Sequence, residues 1–504
     1  TRDYHELVIG MLDRGELLID DIRVVEEPDS TNRQLIQNSS FDDGSSEKWR
    51  IIGNHSGTVV VDPDDLSNHA LHLVASGRTD DIHNHVETTL RHEDSWVEVT
   101  PGTEYEISFR AKWIGGGNLL NTRLYFNEVQ QTHELIVPKR HGTPGQQNST
   151  YQVNAGPTFA DLSHSPVVPD ENEPVTVSIT VNDPDTTAEV RLYYNTGDEW
   201  QSVEMITTED NRFAGEIPGH KAKTKIQFYV AATDSLGATA FYPQAGESSR
   251  AMIAVQDGRA RLDELNNLRI IMDFDDARST LTWTRLMSNQ RLGATVVFNE
   301  SEVYYDVGVR LSGASSSRQG DHNGYSIQFN SDRLFLGVHD IVTVDRNNLN
   351  EIFVRHLINR AGDVPGMYND AIYFVGPLSS RRGYAQLRMA RYDDVFLSSH
   401  FEDGNEGFLF EKELTYRQNL SRRVNRESLK QPQGYSHPIE LNPDIQDFGD
   451  NKEAYRWHWL PKNHRSQDQF SQVIALNQAF SLTGTQLEQA SAEIIDVDQW
   501  MRTL

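Results

Sequence analysis

Closely spaced acids are the residues of this chain most suited to holding a cation. NPDIQDFGDNKE (442–453) places Asp444, Asp447, Asp450 and Glu453 at every third position. Such oxygen donors suit Ca2+ or Mg2+, and a solvated acidic loop is the other reading of the same residues. His458 and His464 follow in YRWHWLPKNHR (455–465). A spacing of six does not put two imidazoles on one helical face, and no HExxH occurs, which argues against a zinc hydrolase. MDFDDAR (272–278) reads as a helix-capping or surface run of acids, and Trp457, Trp459 and Trp500 read as core. Cysteine is absent, which excludes disulfides, thiolate metal sites and a cysteine nucleophile.

Composition narrows the partners. Forty-six Lys and Arg stand against 74 Asp and Glu, a formal charge of −28 over 504 residues. That balance argues against nucleic acid, whose phosphates need clustered positive charge. The acidity is spread along the chain and forms no tail. No stretch reaches the ~20 apolar residues of a membrane-spanning helix, and the first residues lack the basic and apolar regions of a signal peptide.

Periodicity supplies the elements that position these groups. From about residue 58 to 239 short alternating runs recur, among them TVVVD, ALHLVAS, YEISFRAKW, TRLYF, VTVSITV, AEVRLYY and KIQFYVAATD. Each is bounded by Gly, Pro, Asn or Asp, the pattern of antiparallel strands joined by turns. The first half is therefore β-sandwich material. HELVIGMLDRGELLIDDIRVVEEP (5–28) reads as the closing strands of a preceding domain, so residues 1–27 are expected to be the tail of one jelly-roll and 28–155 a second unit. After a Pro-rich joint, 156–256 forms a third unit, and 257–504 a fourth.

The opening NSSFDDG with a Trp soon after, and the later PGTEYEISFRAKW, resemble the jelly-roll carbohydrate-binding modules with a galactose-binding-like fold. That resemblance implies a glycan partner. Sugars are held by an aromatic face and by planar polar groups. The candidates are Trp49, Trp96, Trp113 and Tyr125, with Asn54, His55, Asn84, His85 and Asn121 as polar neighbours; a core role for Trp49 and Trp113 is the competing reading. Asp20 and Asp21 in LLIDD stand where related jelly-rolls place a structural Ca2+ ligand. Residues 156–256 resemble the Ig-like or fibronectin-type spacers of large secreted bacterial proteins, with Tyr193, Trp200 and Phe228 in the core.

At GRARLDELNNLRIIMDF the composition shifts. ATVVFN, YYDVGVRLSG, GYSIQFN and DAIYFVG read as strands, and NEIFVRHLINRAG (350–362), DDVFLSSHF (393–401), SQDQFSQVIALNQAF and TGTQLEQASAEIIDVDQWMRTL as helices. This is an α+β mixture, expected as a strand-rich lobe followed by a helical one. VGVRLSGASSSRQG (307–320), GYSIQFNSDRLFLGVHDIVTVDRNN, the helix, and DVPGMYNDAIYFVG through FLFEKEL together resemble the CotH (spore coat protein H) kinase-like family over residues 304–414.

The resemblance implies phosphoryl transfer from ATP with Mg2+ to an acceptor on a protein substrate. It implies that Ser312, Ser315, Ser316 and Ser317 offer N–H and hydroxyl groups to phosphate oxygens, with Arg310, Arg318 or Arg346 neutralising their charge. Two departures weaken the kinase reading. The family's lysine after the Gly/Ser loop is replaced by Gly320, Asp321, His322, Asn323 and Gly324, and its acid before the last matched helix by Ala390. The chain also stops at Leu504, before the segment expected to carry the metal-binding acids, so the domain is expected to be incomplete and a pseudokinase as it stands. The expectation is a secreted or cell-surface, multi-domain CotH-kinase-like protein with a glycan-binding-like module. The alternative is a structural or adhesive component of an extracellular assembly, built on homotypic contacts, with the last domain as scaffold.

Overall fold

The computed structural model describes residues 5–503 except 81, 125–128, 140–144, 149–150, 198, 262–264, 319–322, 345–349, 362–364, 390–391, 393, 414, 417, 421–425, 433–439 and 442–444. It is mostly β-sheet, with two sandwiches, a closed barrel and a few short helices.

The first sandwich takes in β1 (Glu6–Met11), β2 (Gly15–Glu26), β3 (Arg33–Gln34), β4 (Trp49–Ile52), β5 (His55–Asp62) and β6 (Asp65–Ala75). It continues with β7 (His85–Thr89), β8 (Arg91–His92), β9 (Ser95–Trp96), β10 (Tyr105–Gly116), β11 (Leu119–Leu124) and β12 (Val129–Glu134). One sheet runs β12-β11-β1-β7-β4 and the other β10-β2-β6-β5. Leu7, Ile9, Met11, Leu17, Ile19, Leu71, Leu73, Leu120 and Leu124 fill the space between them.

This arrangement corrects the expectation for residues 1–27. β1 lies between β7 and β11, with Ile9 opposite Val86 and Thr122, and β2 lies between β6 and β10. The first two strands are central strands of both sheets of this sandwich, because their alternating apolar residues are needed to complete its core.

The second sandwich comprises β13 (Thr158–Ser165), β14 (Val175–Asn182), β15 (Thr187–Asn195), β16 (Gln201–Glu204) and β17 (Ile206–Glu209). With them are β18 (Arg212–Ile217), β19 (Lys225–Asp234), β20 (Thr239–Tyr242) and β21 (Ala251–Ala254). Its sheets run β13-β14-β18-β17 and β16-β15-β19-β20, with β21 on β19. Phe228 is core as expected, whereas Tyr193 stacks directly across the sheet on Tyr229 at 4.8 Å, and Trp200 meets that ring edge-on at 5.0 Å.

The strands that follow close on themselves. β22 (Asn267–Ile271), β23 (Leu292–Phe298), β24 (Glu302–Ser312), β25 (Gly324–Gln328), β26 (Asp340–Val344), β27 (Tyr368–Val375) and β28 (Arg382–Met389) form a barrel in the order β22-β23-β24-β25-β26-β28-β27. A parallel pairing of β22 with β27 makes the closure. Helix α1 (Phe274–Ser279) leads from β22 toward β23, and α2 (Asn350–Ala361) stands between β26 and β27, so the strands do not all precede the helices. α3 (Asp394–His400), α4 (Ser471–Phe480), α5 (Thr485–Ile494) and α6 (Val497–Thr503) complete the helices; the last expected helix is broken in two where Ile495 turns extended. Among the described residues no helix is long and apolar enough to cross a membrane.

The units are packed against one another through buried groups. Ile271, Val297, Val303 and Tyr305 of the barrel belong to the same apolar cluster as the second sandwich's core. There the Tyr305 hydroxyl is 2.6 Å from His164 Nδ1, whose Nε2 reaches Val167 O at 2.9 Å.

Candidate functional site

The outer face of the sheet β12-β11-β1-β7-β4 carries two of the residues expected to meet a sugar, His85 and Asn121, and it is buried. Glu6, His85, Glu87, Asn121 and Arg123 all point away from the core yet are at most 3% exposed. Thr79 lies directly over Gly10, where an added Cβ would approach its Oγ1 to 2.4 Å. Lys430 is buried against Glu87 at 3.0 Å and also pairs with Glu6. Trp457 packs under the Arg123 guanidinium at 4.4 Å, and Arg456 pairs with Glu453 and Asp468, each at 2.7 Å.

The glycan candidates are therefore reassigned. Trp49 is a core residue, 7% exposed, packed on Phe41 and donating Nε1–H to Asn38 O. Trp113 is half-buried against the same core, its Nε1–H held by Gly116 O. His55 accepts the Met11 N–H at Nε2 and bonds Asn54 Oδ1 through Nδ1 at 2.7 Å; burial, with His85 and Arg123 nearby, holds its pKa at about 3, so it is neutral. Asn54 is used up by Asn84 and Arg78 O, and His85 reaches Glu87 at 3.3 Å. Asn121 binds Thr132 and Glu453. Trp96 is exposed, with the Arg426 guanidinium 5.2 Å from its ring, and Tyr125 lies outside the described residues.

The cation sites also change. Asp20 and Asp21 have a protein cation between them: Arg110 Nη1 lies 3.7 and 3.3 Å from their carboxylates, and Asn68 donates to Asp20. In the acidic loop, Asp447 accepts from Gly449 N and Tyr455 OH, Asp450 accepts from Gln478, and Glu453 pairs with Arg456. These carboxylates diverge into separate local bonds. Asp444 is outside the described residues, and among the described residues no group of three or more ligating side chains could hold a metal. His458 stacks on Phe448, apart from His464, which bonds Asn405 O.

The phosphate candidates fare differently. Ser312 ends β24, and Ser315–Ser317 form one 3-10 turn after Gly313, whose φ of +91° and 2.9 Å approach to Ser317 require glycine. Ser315 Oγ is fully buried and has no hydrogen-bond partner among the described residues. Arg318 turns inward to bond Gly313 O, Leu286 O and Ser288 O, a structural role. The Ser316 side chain and Arg346 are outside the described residues.

Arg310, between the core residues Val309 and Leu311, lines a shallow cleft of about 20 Å3 with Arg285, Ser279, Thr280, Ser288, Gln290 and the apolar Leu286 and Leu292. Ser279 and Thr280 arrive from the end of α1, whose N-cap is Asp273, accepting from Asp275 N and Asp276 N. This gives MDFDDAR its capping role. Two guanidinium groups suit a polyoxyanion, since arginine forks match phosphate geometry; the Ser279 and Thr280 hydroxyls donate to Asp276 O and Ala277 O, and Arg310 Nη1 to Leu311 O. Among the described residues, those lining the cleft include no carboxylate, histidine or lysine. Arg285 and the Ser279–Thr280 pair had no signal of their own in the sequence, because they join Arg310 only when α1 and the segment after it fold across the end of β24.

No family model matches the sequence, and no curated protein matches it. A cycloalternan-degrading enzyme from Trueperella pyogenes, in complex with cycloalternan, is similar over 32% of this chain and 21% of its own, at 10% identity and a TM-score of 0.16. Another structure of that enzyme matches over 45% of this chain and 30% of its own, at 9% identity and 0.16. A pullulanase from Bacillus acidopullulyticus matches over 51% and 36%, at 10% identity and 0.13. The chain thus spans well under half of either enzyme, and likeness this slight carries no argument about fold or activity.

Proposed function

We propose that the chain is part of a secreted, CotH-kinase-like protein whose barrel binds a phosphate-bearing ligand, ATP with Mg2+ being the first to test, without carrying out transfer itself. The observation that carries this reading is the convergence of Arg285 and Arg310 on one cleft with Ser279, Thr280, Ser288 and Gln290, close to the Gly/Ser loop. In this reading the second sandwich is an Ig-like spacer, and any acceptor protein is met elsewhere on the molecule. Thermal-shift titration of the chain with ATP and Mg2+, beside Arg310→Ala, tests it: a ligand at 100 times its Kd raises stability by about 2.7 kcal/mol, and no shift in the wild type would sink the reading.

A second reading, an extracellular structural or adhesive scaffold, is favoured by the burial of the first sandwich's outer face under Lys430, Arg456 and Trp457. Such welding suits a load-bearing unit with homotypic contacts. Concentration-dependent association without any nucleotide effect would select it.

A further inference from the structure

The cleft's floor is held from two different units. Residues 285–290 supply Arg285, Leu286, Ser288 and Gln290 to its lining, and the same short segment is gripped from behind. From the first sandwich, Asn84 Nδ2 donates to Met287 O at 3.2 Å and its Oδ1 accepts the Asn289 N–H at 2.7 Å. Asn289 Nδ2 donates in turn to Asp80 Oδ2 at 3.3 Å, and Met287 packs on Ile82. From the barrel, Arg318 Nη1 donates to Leu286 O at 3.1 Å and to Ser288 O at 3.2 Å, and Nη2 reaches Asn289 Oδ1 at 3.5 Å.

We infer that Asn84 and Arg318 are the positioning residues of the cleft, so that Arg285, Ser288 and Gln290 face Arg310 only while the first sandwich is docked on the barrel. Asn84 is fully buried at a φ of +64°, a conformation in which asparagine is favoured. Its side chain satisfies backbone groups on both sides of the junction, Asn54 N within its own sandwich and Asn289 N across it. A buried amide with such partners is costly to remove and leaves the segment's polar groups unpaired. Ligand in the cleft therefore strengthens the sandwich–barrel junction, and loosening the junction weakens the ligand. This inference rests on the cleft being the phosphate site.

The test uses the whole chain, with pyrophosphate as probe. Asn84→Gly keeps the left-handed backbone without strain and removes only the side chain. Peptides covering 286–290 are expected to exchange amide hydrogens about tenfold faster, and the Kd for pyrophosphate to rise about tenfold, with exchange in the second sandwich unchanged. Arg318→Ala should do the same and Arg318→Lys should restore part of both effects, a rescue that general destabilisation would not give. Wild-type Kd and wild-type exchange in Asn84→Gly would overturn the inference while leaving the site standing. Failure of the wild type to bind pyrophosphate would overturn the site, and the positioning role with it.

Discussion

Lys430 places its ammonium 3.0 Å from the Glu87 carboxylate, 343 residues earlier in the chain, with both side chains at most 2% exposed. This pair closes the sheet face on which the polar residues of the first sandwich converge. Burial alone pushes the Glu87 carboxyl up, and Lys430, Arg50 and His85 outweigh it, leaving it well below the usual range. For Glu6, which shares the same lysine, burial wins and its carboxyl is raised.

Removing that cation should be severe. Lys430→Ala leaves Glu87 with Arg50 and His85 and takes from Glu6 its Lys430 ion pair, and breaking a buried pair costs about 3–5 kcal/mol. Urea unfolding should show the loss, and Lys430→Ala with Glu87→Gln should recover part of it. A change within error for the single variant would contradict the buried pairing.

Trp49 separates packing from recognition. Trp49→Ala should lower stability by about 3–5 kcal/mol, read as a fall in the denaturation midpoint. Any glycan response of the chain should be the same for the folded variant as for the wild type. Loss of sugar binding without loss of stability would restore the ligand role that its burial removes.

Acid should loosen the chain through its buried histidines. Burial holds His55 at about 3 and His164 at about 4, both depressed from an ordinary value near 6.5. A depressed pKa means protons prefer the unfolded chain, so the contribution is complete above pH ~6.5 and is lost as pH falls through the folded values. Each group is worth a contribution on the order of a few kcal/mol. Chemical denaturation at successive pH values should show stability falling from about pH 6.5 toward pH 4. His164→Gln should flatten part of that slope, and an unaltered slope in both His164→Gln and His55→Gln would count against this source.

Much of the β architecture is legible because its signals are local. YEISFRAKW alternates through β10, where Tyr105, Ile107, Phe109, Ala111 and Trp113 turn to the core and the residues between them are exposed. NEIFVRHLINRA is helical over the span its spacing predicts. What escapes such reading depends on distant partners. β1 pairs with β11 more than a hundred residues away, so nothing in residues 5–28 says which sheet they complete. His55, Asn84 and His85 have the residue types of a sugar site, and only their partners in the fold, Met11 N, Met287 O and Glu87, reveal them as buried structural groups. Arg318 and Arg310 likewise look alike in sequence, yet Arg318 is buried and grips the carbonyls of Leu286 and Ser288, whereas Arg310 bonds Leu311 O at the edge of a cleft.

Isothermal titration of ATP with Mg2+ and of pyrophosphate into the chain, alongside Arg310→Ala and Arg285→Ala, tests the central claim most directly. The account predicts saturable binding by the wild type that weakens at least about tenfold in each variant, the loss expected for one charge-assisted arginine contact. No binding by the wild type, or equal binding by all three proteins, would contradict it.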